Sequence, residues 1–209
     1  MESINNTLKD LIDNGKDINT DFLLHIENTI EVAQMFASFN NTNGGRIIVG
    51  VNDSQKIKGI NPIDEKRLIS ECIKERCIPV VKWNSSVHQI GRHLILVVEI
   101  LKSNGQSKVK NENGVLIPYY RIEGNVVQEN KILKQVAMMA KHKVSLEINL
   151  SNNAINFLKQ INTLSPISLS QLYKTSNLSL KEVDEIVVSL IHNGKINLIF
   201  RNNQILYTT

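Results

Sequence analysis

The sequence predicts an α+β chain in two parts: a mixed sheet with helices over residues 1–148, then a smaller helical unit with a terminal hairpin over 149–209. Three observations lead there. Apolar residues recur at helical spacing in short stretches, as in Ile30, Val32, Ala33, Phe36, Ala37 and Phe39, while β-branched runs such as Arg46-Ile-Ile-Val-Gly-Val stand between them. Beyond about residue 150 the pattern changes to three helical stretches and one pair of strands. The 209 residues allow one large domain or two small ones, at roughly 100–200 residues each.

Each element has its own signal. Leu8, Leu11 and Ile12 make 6–14 a short amphipathic helix stopped by Gly15. Residues 21–26 read as a strand. The helix that starts near Ile30 runs out in Asn40-Asn-Thr-Asn-Gly-Gly, a polar turn that no helix would traverse. The run from Arg46 to Val51 is a strand buried on both faces. Asn52-Asp-Ser-Gln-Lys is a tight turn, and 56–60 a short return strand. Residues 64–77 form a helix ended by Pro79, and 80–89 and 93–100 are strands joined at Ile90-Gly91-Arg92. A polar loop, 102–114, carries Lys102, Lys108 and Lys110. A strand over 115–122, a turn at Gly124-Asn125 and a basic helix over 130–143, with Lys131, Lys134, Lys141 and Lys143, close the first domain.

The second domain begins with a helix over 153–162 that places Ile155, Leu158 and Ile161 on one face. A second helix starts at Ser168-Leu-Ser-Gln, with Ser168 or Ser170 as its cap. Ser179-Leu-Lys-Glu is a capping box with Glu182 at the third helical position. The helix it opens turns Val183, Ile186, Val187, Leu190 and Ile191 inward and stops at Asn193-Gly194. Strands over 195–201 and 204–208 then flank Asn202-Asn203, a two-residue hairpin turn. Helix, helix-turn-helix and hairpin, in that order, make a winged helix.

In a helix-turn-helix the second helix enters the DNA major groove, its first turns nearest the bases. Ser179, Lys181 and Glu182, with Asp184 and Glu185, would then face the groove. Arg201 in the wing would reach the adjacent phosphates, and Lys174 and Lys195 the backbone. From 151 to 209 there are five basic and three acidic residues, a small surplus for counterion release. The acids sit on the reading helix, so a winged helix used for protein contacts stays open as the alternative.

In the first domain, Thr42-Asn43-Gly44-Gly45 lies between a helix and a buried strand with Arg46 beside it. Two readings remain open: the amides of the turn form an anion-binding nest, or the glycines only permit a sharp reversal. It is not a nucleotide loop, because no G-K-[ST] follows.

Ser38-Phe39-Asn40-Asn41-Thr42-Asn43-Gly44-Gly45, followed by Ile47-Ile48-Val49-Gly50-Val51-Asn52-Asp53 and Lys58-Gly59-Ile60, resembles the AlbA_2 domain of Schlafen proteins and many bacterial regulators. Tyr119-Tyr120-Arg121-Ile122 before Gly124 resembles the closing element of that family. The resemblance spans roughly residues 15–142 and implies DNA binding, often with a helix-turn-helix to follow. RNA-cleaving Schlafens use acidic residues in and near an E-x-x-x-x-E-F-K element with a metal. Aligned by distance to the glycine pair, this chain has Lys16 at the first glutamate, Asp21 at the second and Leu23 at the lysine. An ammonium where a metal cation belongs opposes catalysis.

Composition narrows the rest. Hydrophobic residues make up 42% of the chain, as in globular proteins. No apolar run reaches the roughly 18 residues of a membrane span, and the N-terminus lacks a secretory pattern, so a soluble cytoplasmic protein is expected. The abundance of Asn, Ile and Lys is that of an AT-rich bacterial genome. Cys72 and Cys77 read as reduced structural thiols, and His25, His88, His93, His142 and His192 are dispersed without a catalytic context. Trp83, Tyr119 and Tyr120 read as strand aromatics, with base stacking as the alternative. With 24 basic and 20 acidic residues the net charge is +4 and the pI near 9.0.

The expectation is therefore a non-enzymatic, homodimeric regulator that binds nucleic acid, DNA before RNA, without cofactor or metal. The dimer is expected by analogy with winged-helix regulators. Its expected contacts are Arg46, Lys108, Lys110, Arg121, Lys131 and Lys134 in the first domain, and Lys174, Ser179, Lys181, Lys195 and Arg201 in the second. The rival readings are a metal-dependent Schlafen-like nuclease and a protein-interaction module.

Overall fold

Residue 128 ends one folded unit and residue 129 begins the other in the computed structural model, which describes residues 2–141 and 152–209. Lys143, His142 and the expected junction at 148 lie outside the described residues.

The first unit is built on a four-stranded sheet of order β1-β2-β5-β4: β1 (Thr20–Leu23), β2 (Gly45–Val49), β4 (Trp83–Ile90) and β5 (His93–Ile100). Only β1 and β2 run parallel. The continuous apolar run of β2 is buried on both faces, as its composition requires. Ile47 and Val49 enter the core formed with α2 (Thr29–Asn41) and α3 (Pro62–Arg76). Ile48 enters a second cluster with Leu8 and Ile12 of α1 (Glu2–Asp13).

A second sheet, β3-β6-β7-β8, comprises β3 (Cys77–Ile78), β6 (Lys108–Lys110), β7 (Leu116–Ile122) and β8 (Asn125–Gln128). It packs on the other side of α2, which explains why that helix is buried nearly all round, Ser38 and Asn40 included. Asn41 ties the two together: its side-chain amide donates to the carbonyls of Ser107 and Tyr119 and its oxygen accepts from the Ser107 N–H. Trp83 meets Phe36 edge-on at 6.2 Å and Tyr119 hydrogen-bonds Gln34, so both serve packing. Cys72 and Cys77 are buried thiols that donate to the Thr29 and Ala33 carbonyls.

The second unit contains α4 (Lys131–Lys141), α5 (Asn152–Leu164), α6 (Leu169–Thr175) and α7 (Leu180–His192). Its sheet, β10-β11-β9, joins the hairpin of β10 (Asn197–Arg201) and β11 (Gln204–Thr208) to the two-residue β9 (Ile167–Ser168). The core gathers Ile132 of α4 with Phe157, Ile161, Leu172, Val183, Val187, Leu190 and Tyr207.

Four expectations change. The basic helix α4 was expected in the first domain, yet the unit boundary falls before it, because Ile132 joins the second core and Lys131 pairs with Asp184 of α7. The polar loop 102–114 contains strand β6. The return strand at 56–60 reduces to one bridge, Val51 to Ile57. The strands β8 and β9 were not expected at all. Among the described residues no helix is long and apolar enough to cross a membrane.

Candidate nucleic-acid interface

In the second unit, two serine caps set the helices. Ser168 and Gln171 exchange hydrogen bonds at the start of α6, and Ser179 and Glu182 do the same at the start of α7. Each box satisfies orphan amides at a helix start. The Ser179 hydroxyl is consequently committed: it accepts from the Glu182 N–H and donates to the Glu182 carboxylate at 2.7 Å. The hydroxyl bond, then the Ser179 N–H that also donates to that carboxylate at 2.9 Å, hold the Glu182 carboxyl below its ordinary pKa. At the other end of the unit, Asn202 and Asn203 both have positive φ, 52° and 58°, the pair of conformations a type I′ hairpin needs.

The exposed face of α7 carries Leu180, Lys181, Glu182 and Glu185, with the Lys181 ammonium 3.8 Å from the Glu185 carboxylate. Asp184 was expected to face a groove; it is 1% exposed. Its helical position, four before buried Val188, turns it inward, where it accepts from the Tyr173 hydroxyl and the Lys131 ammonium. Burial, then the Asp184 hydrogen bond, pushes the Tyr173 hydroxyl up to about 12. Lys131 is thus a structural partner. Lys134, Lys174, Lys181, Lys195 and Arg201 are all exposed, the last at the hairpin tip, where its guanidinium donates to the Phe200 carbonyl at 2.8 Å.

In the first unit the expected contacts fare differently. Arg121 is buried, its side chain 1% exposed. Its guanidinium reaches Asp21 at 3.2 Å and lies 4.0 Å over the Phe39 ring. Burial lowers its pKa, opposed by Asp21. It cannot meet a phosphate without leaving the core, so its expected role is corrected to a structural one. Arg46 is half-buried and sits directly across from Glu99 in the β2–β5 register. Lys108 and Lys110 are on the outer face of β6, Lys110 exposed and Lys108 half-buried.

The geometry of the glycine turn favours the steric reading. The Thr42 and Gly44 amides both donate to the Phe39 carbonyl, at 3.2 and 2.8 Å. The Thr42 hydroxyl accepts from the Arg121 N–H, and Asn43 accepts from Lys102. A Cβ at Gly44 would stand 2.7 Å from the Ile100 carbonyl oxygen, and one at Gly45 2.7 Å from that of Asn19. The glycines let two backbones pass, and the Thr42 and Gly44 amides are spoken for.

The segment before β1 forms a charged cluster that the sequence pointed to only in part. Lys16 reaches Asp21 at 2.9 Å and Asp53, in the turn after β2, at 2.8 Å. Asp21 is saturated: Oδ1 also accepts from the Phe22 N–H at 2.9 Å, and Oδ2 accepts from Arg121. Partial burial works against the Lys16 charge, but hydrogen bonds and attraction from Asp53 and Asp21 outweigh it and hold its pKa above the ordinary lysine value. Asp53 was missed, although it ends the quoted Gly50-Val51-Asn52-Asp53 motif. The metal of RNA-cleaving Schlafens does not fit these residues. Two side-chain cations already engage Asp21, and among the described residues no three carboxylate, imidazole or thiolate groups converge.

Charge divides unevenly between the units. Residues 1–128 hold fifteen basic and fifteen acidic side chains, and residues 129–209 nine basic and five acidic. The whole net charge of +4 belongs to the second unit.

No curated protein matches the chain. Among solved structures it is similar to the DIP2311 protein from Corynebacterium diphtheriae, at 13% identity and a TM-score of 0.42. That match covers 90% of this chain and 34% of the other, so the chain spans about a third of that protein's length. Residues 13–130 match the family described as Schlafen, AlbA_2. They contain the glycine turn, the β2 strand and the Lys16–Asp21–Asp53 cluster, more than half of the chain, which therefore belongs to the Schlafen AlbA_2 family.

Proposed function

We propose that this protein is a DNA-binding transcriptional regulator without enzymatic activity, whose second unit is a winged helix and supplies most of the binding charge. The family is nucleic-acid-related. The observation that carries the reading is the charge division: the AlbA_2 region is neutral, while the unit with the capped helix pair and hairpin holds the entire surplus. Lys134, Lys174, Lys181, Lys195 and Arg201 project from it as exposed cations. Phosphate attraction would position the protein, with α7 offering Lys181 to the groove and Arg201 reaching from the hairpin. Duplex DNA is preferred to duplex RNA, whose major groove is too narrow to admit a helix. The protein acts as a homodimer, matching two half-sites.

The test is fluorescence anisotropy on labelled duplex DNA across a salt series. With four or five phosphate contacts, log affinity falls against log salt with a slope of about −4. A salt-independent or absent signal on duplex and single-stranded probes at low salt overturns the reading. It would leave the protein-interaction module, which one observation favours: Glu182 and Glu185 flank Lys181 on the exposed face of α7.

A further inference from the structure

We propose that Lys16 is a resident cation: its ammonium does the electrostatic work of a bound divalent ion, and this chain holds its acidic cluster together without metal. Three observations on different elements converge on it.

The first is geometry. A single ammonium bridges two carboxylates from separate elements, Asp21 of strand β1 at 2.9 Å and Asp53 of the turn after β2 at 2.8 Å. Asp53 is 86% exposed, yet it is held in place. Its turn is fixed by the Asn52 side chain, which accepts from the Ser54 and Lys56 amides at 3.1 and 2.9 Å.

The second is the backbone conformation just before Lys16. Gly15 has φ of +83°, a left-handed conformation that L side chains rarely adopt. The fold thus brings the ammonium to this position through a step only glycine takes without strain.

The third is charge balance. Among the ion-paired side chains, the two cations Lys16 and Arg121 offset the two carboxylates Asp21 and Asp53 in formal charge. Replacing Lys16 by glutamate makes three carboxylates against one guanidinium, a net of two negative charges, which a single divalent cation neutralises. The cluster is therefore one substitution away from the charge that such an ion requires.

The experiment compares wild-type protein, Asp53→Asn, Lys16→Glu, Lys16→Gln and Lys16→Glu/Asp53→Asn, each titrated with Mn²⁺. Bound ion is counted by electron paramagnetic resonance, and Tm is read with and without Mn²⁺. The wild type should bind no Mn²⁺ at this cluster and keep its Tm. Lys16→Glu should bind one ion and gain Tm with it, recovering its fold on Mn²⁺ addition if it is unfolded alone. Lys16→Gln should bind more weakly, and the double variant should lose the ion. Wild-type binding that Asp53→Asn abolishes would overturn the proposal. So would Lys16→Glu and Lys16→Gln both ignoring Mn²⁺. Neither outcome bears on DNA affinity, which is read separately from the exposed cations of the second unit.

Discussion

The two units bury charge in similar ways and display it in opposite ones. Each has a buried aspartate that draws partners from other elements: Asp21 takes Lys16 and Arg121 in the first, and Asp184 takes Lys131 and Tyr173 in the second. The first unit is formally neutral, and of its expected phosphate contacts Arg121 is buried against a carboxylate and Arg46 is half-buried in the sheet. The second keeps its expected contacts Lys134, Lys174, Lys181, Lys195 and Arg201 exposed. Sequence distance from a family motif is thus a poor guide to where a polyanion would dock. What matters is whether a cation is already buried.

The sharpest way to break this contrast is Arg121→Ala. It leaves Asp21 buried beside a void, and breaking a buried pair costs roughly 3–5 kcal/mol, so urea unfolding of the first unit should shift by about that much. If stability is retained while DNA affinity falls, Arg121 belongs to the interface after all. Next in size is the combined change of Lys134, Lys174, Lys181 and Lys195 to alanine. It should flatten the salt slope by about three to four, near one for each lost phosphate contact, with the fold intact by circular dichroism.

Smaller effects separate the units further. Ser179→Ala removes the cap of α7 and should cost about 1 kcal/mol, seen as a lowered Tm. Alkali should reach the first unit earlier. Burial raises the Cys72 and Cys77 thiols from 9.0 to about 11 and about 12. Because folding favours their protonated forms, that stability is complete below pH 9.0 and is lost as pH climbs through 11 to 12. Tyr173, raised from 10.0 to about 12, begins the same loss in the second unit one pH unit later. Trp83, the sole tryptophan, reports the first unit by fluorescence. An earlier alkaline transition in the second unit would contradict this order. The smallest effect expected is that of Lys108→Ala with Lys110→Ala, which should change DNA affinity by no more than about twofold, within the range typical of weak surface charges.

The sequence made some of this legible for clear physical reasons. A continuous β-branched run signals two buried faces, and Ile48 does point opposite to Ile47 and Val49. The Ser179 box and the Asn202-Asn203 turn are local chemistry, so their geometry follows from neighbours in the chain. Strand β6 was hidden because Lys-Val-Lys offers one apolar residue, and β9 because two residues carry no period. Depth was the hardest quantity to infer. Arg121 and Lys134 look alike in sequence, and only the packing of Phe39 and Asp21 around the former tells them apart. Asp184 had a signal, since it shares the inward stripe of α7 with Val187 and Val188. Lys16 was found by alignment, but its second partner, Asp53, lies in a distant turn of the sequence that only the fold brings to it.

One consequence concerns the enclosure of α2 between two sheets. Between Val32 and Asn40 the helix is buried or half-buried throughout, so its amides there reach solvent only when the layers part. Its hydrogens should therefore be among the last in the chain to exchange with deuterium, reporting global opening of the unit and not fraying. Any substitution that loosens either sheet would be read out there first, which makes this helix an internal gauge of how tightly the two layers grip.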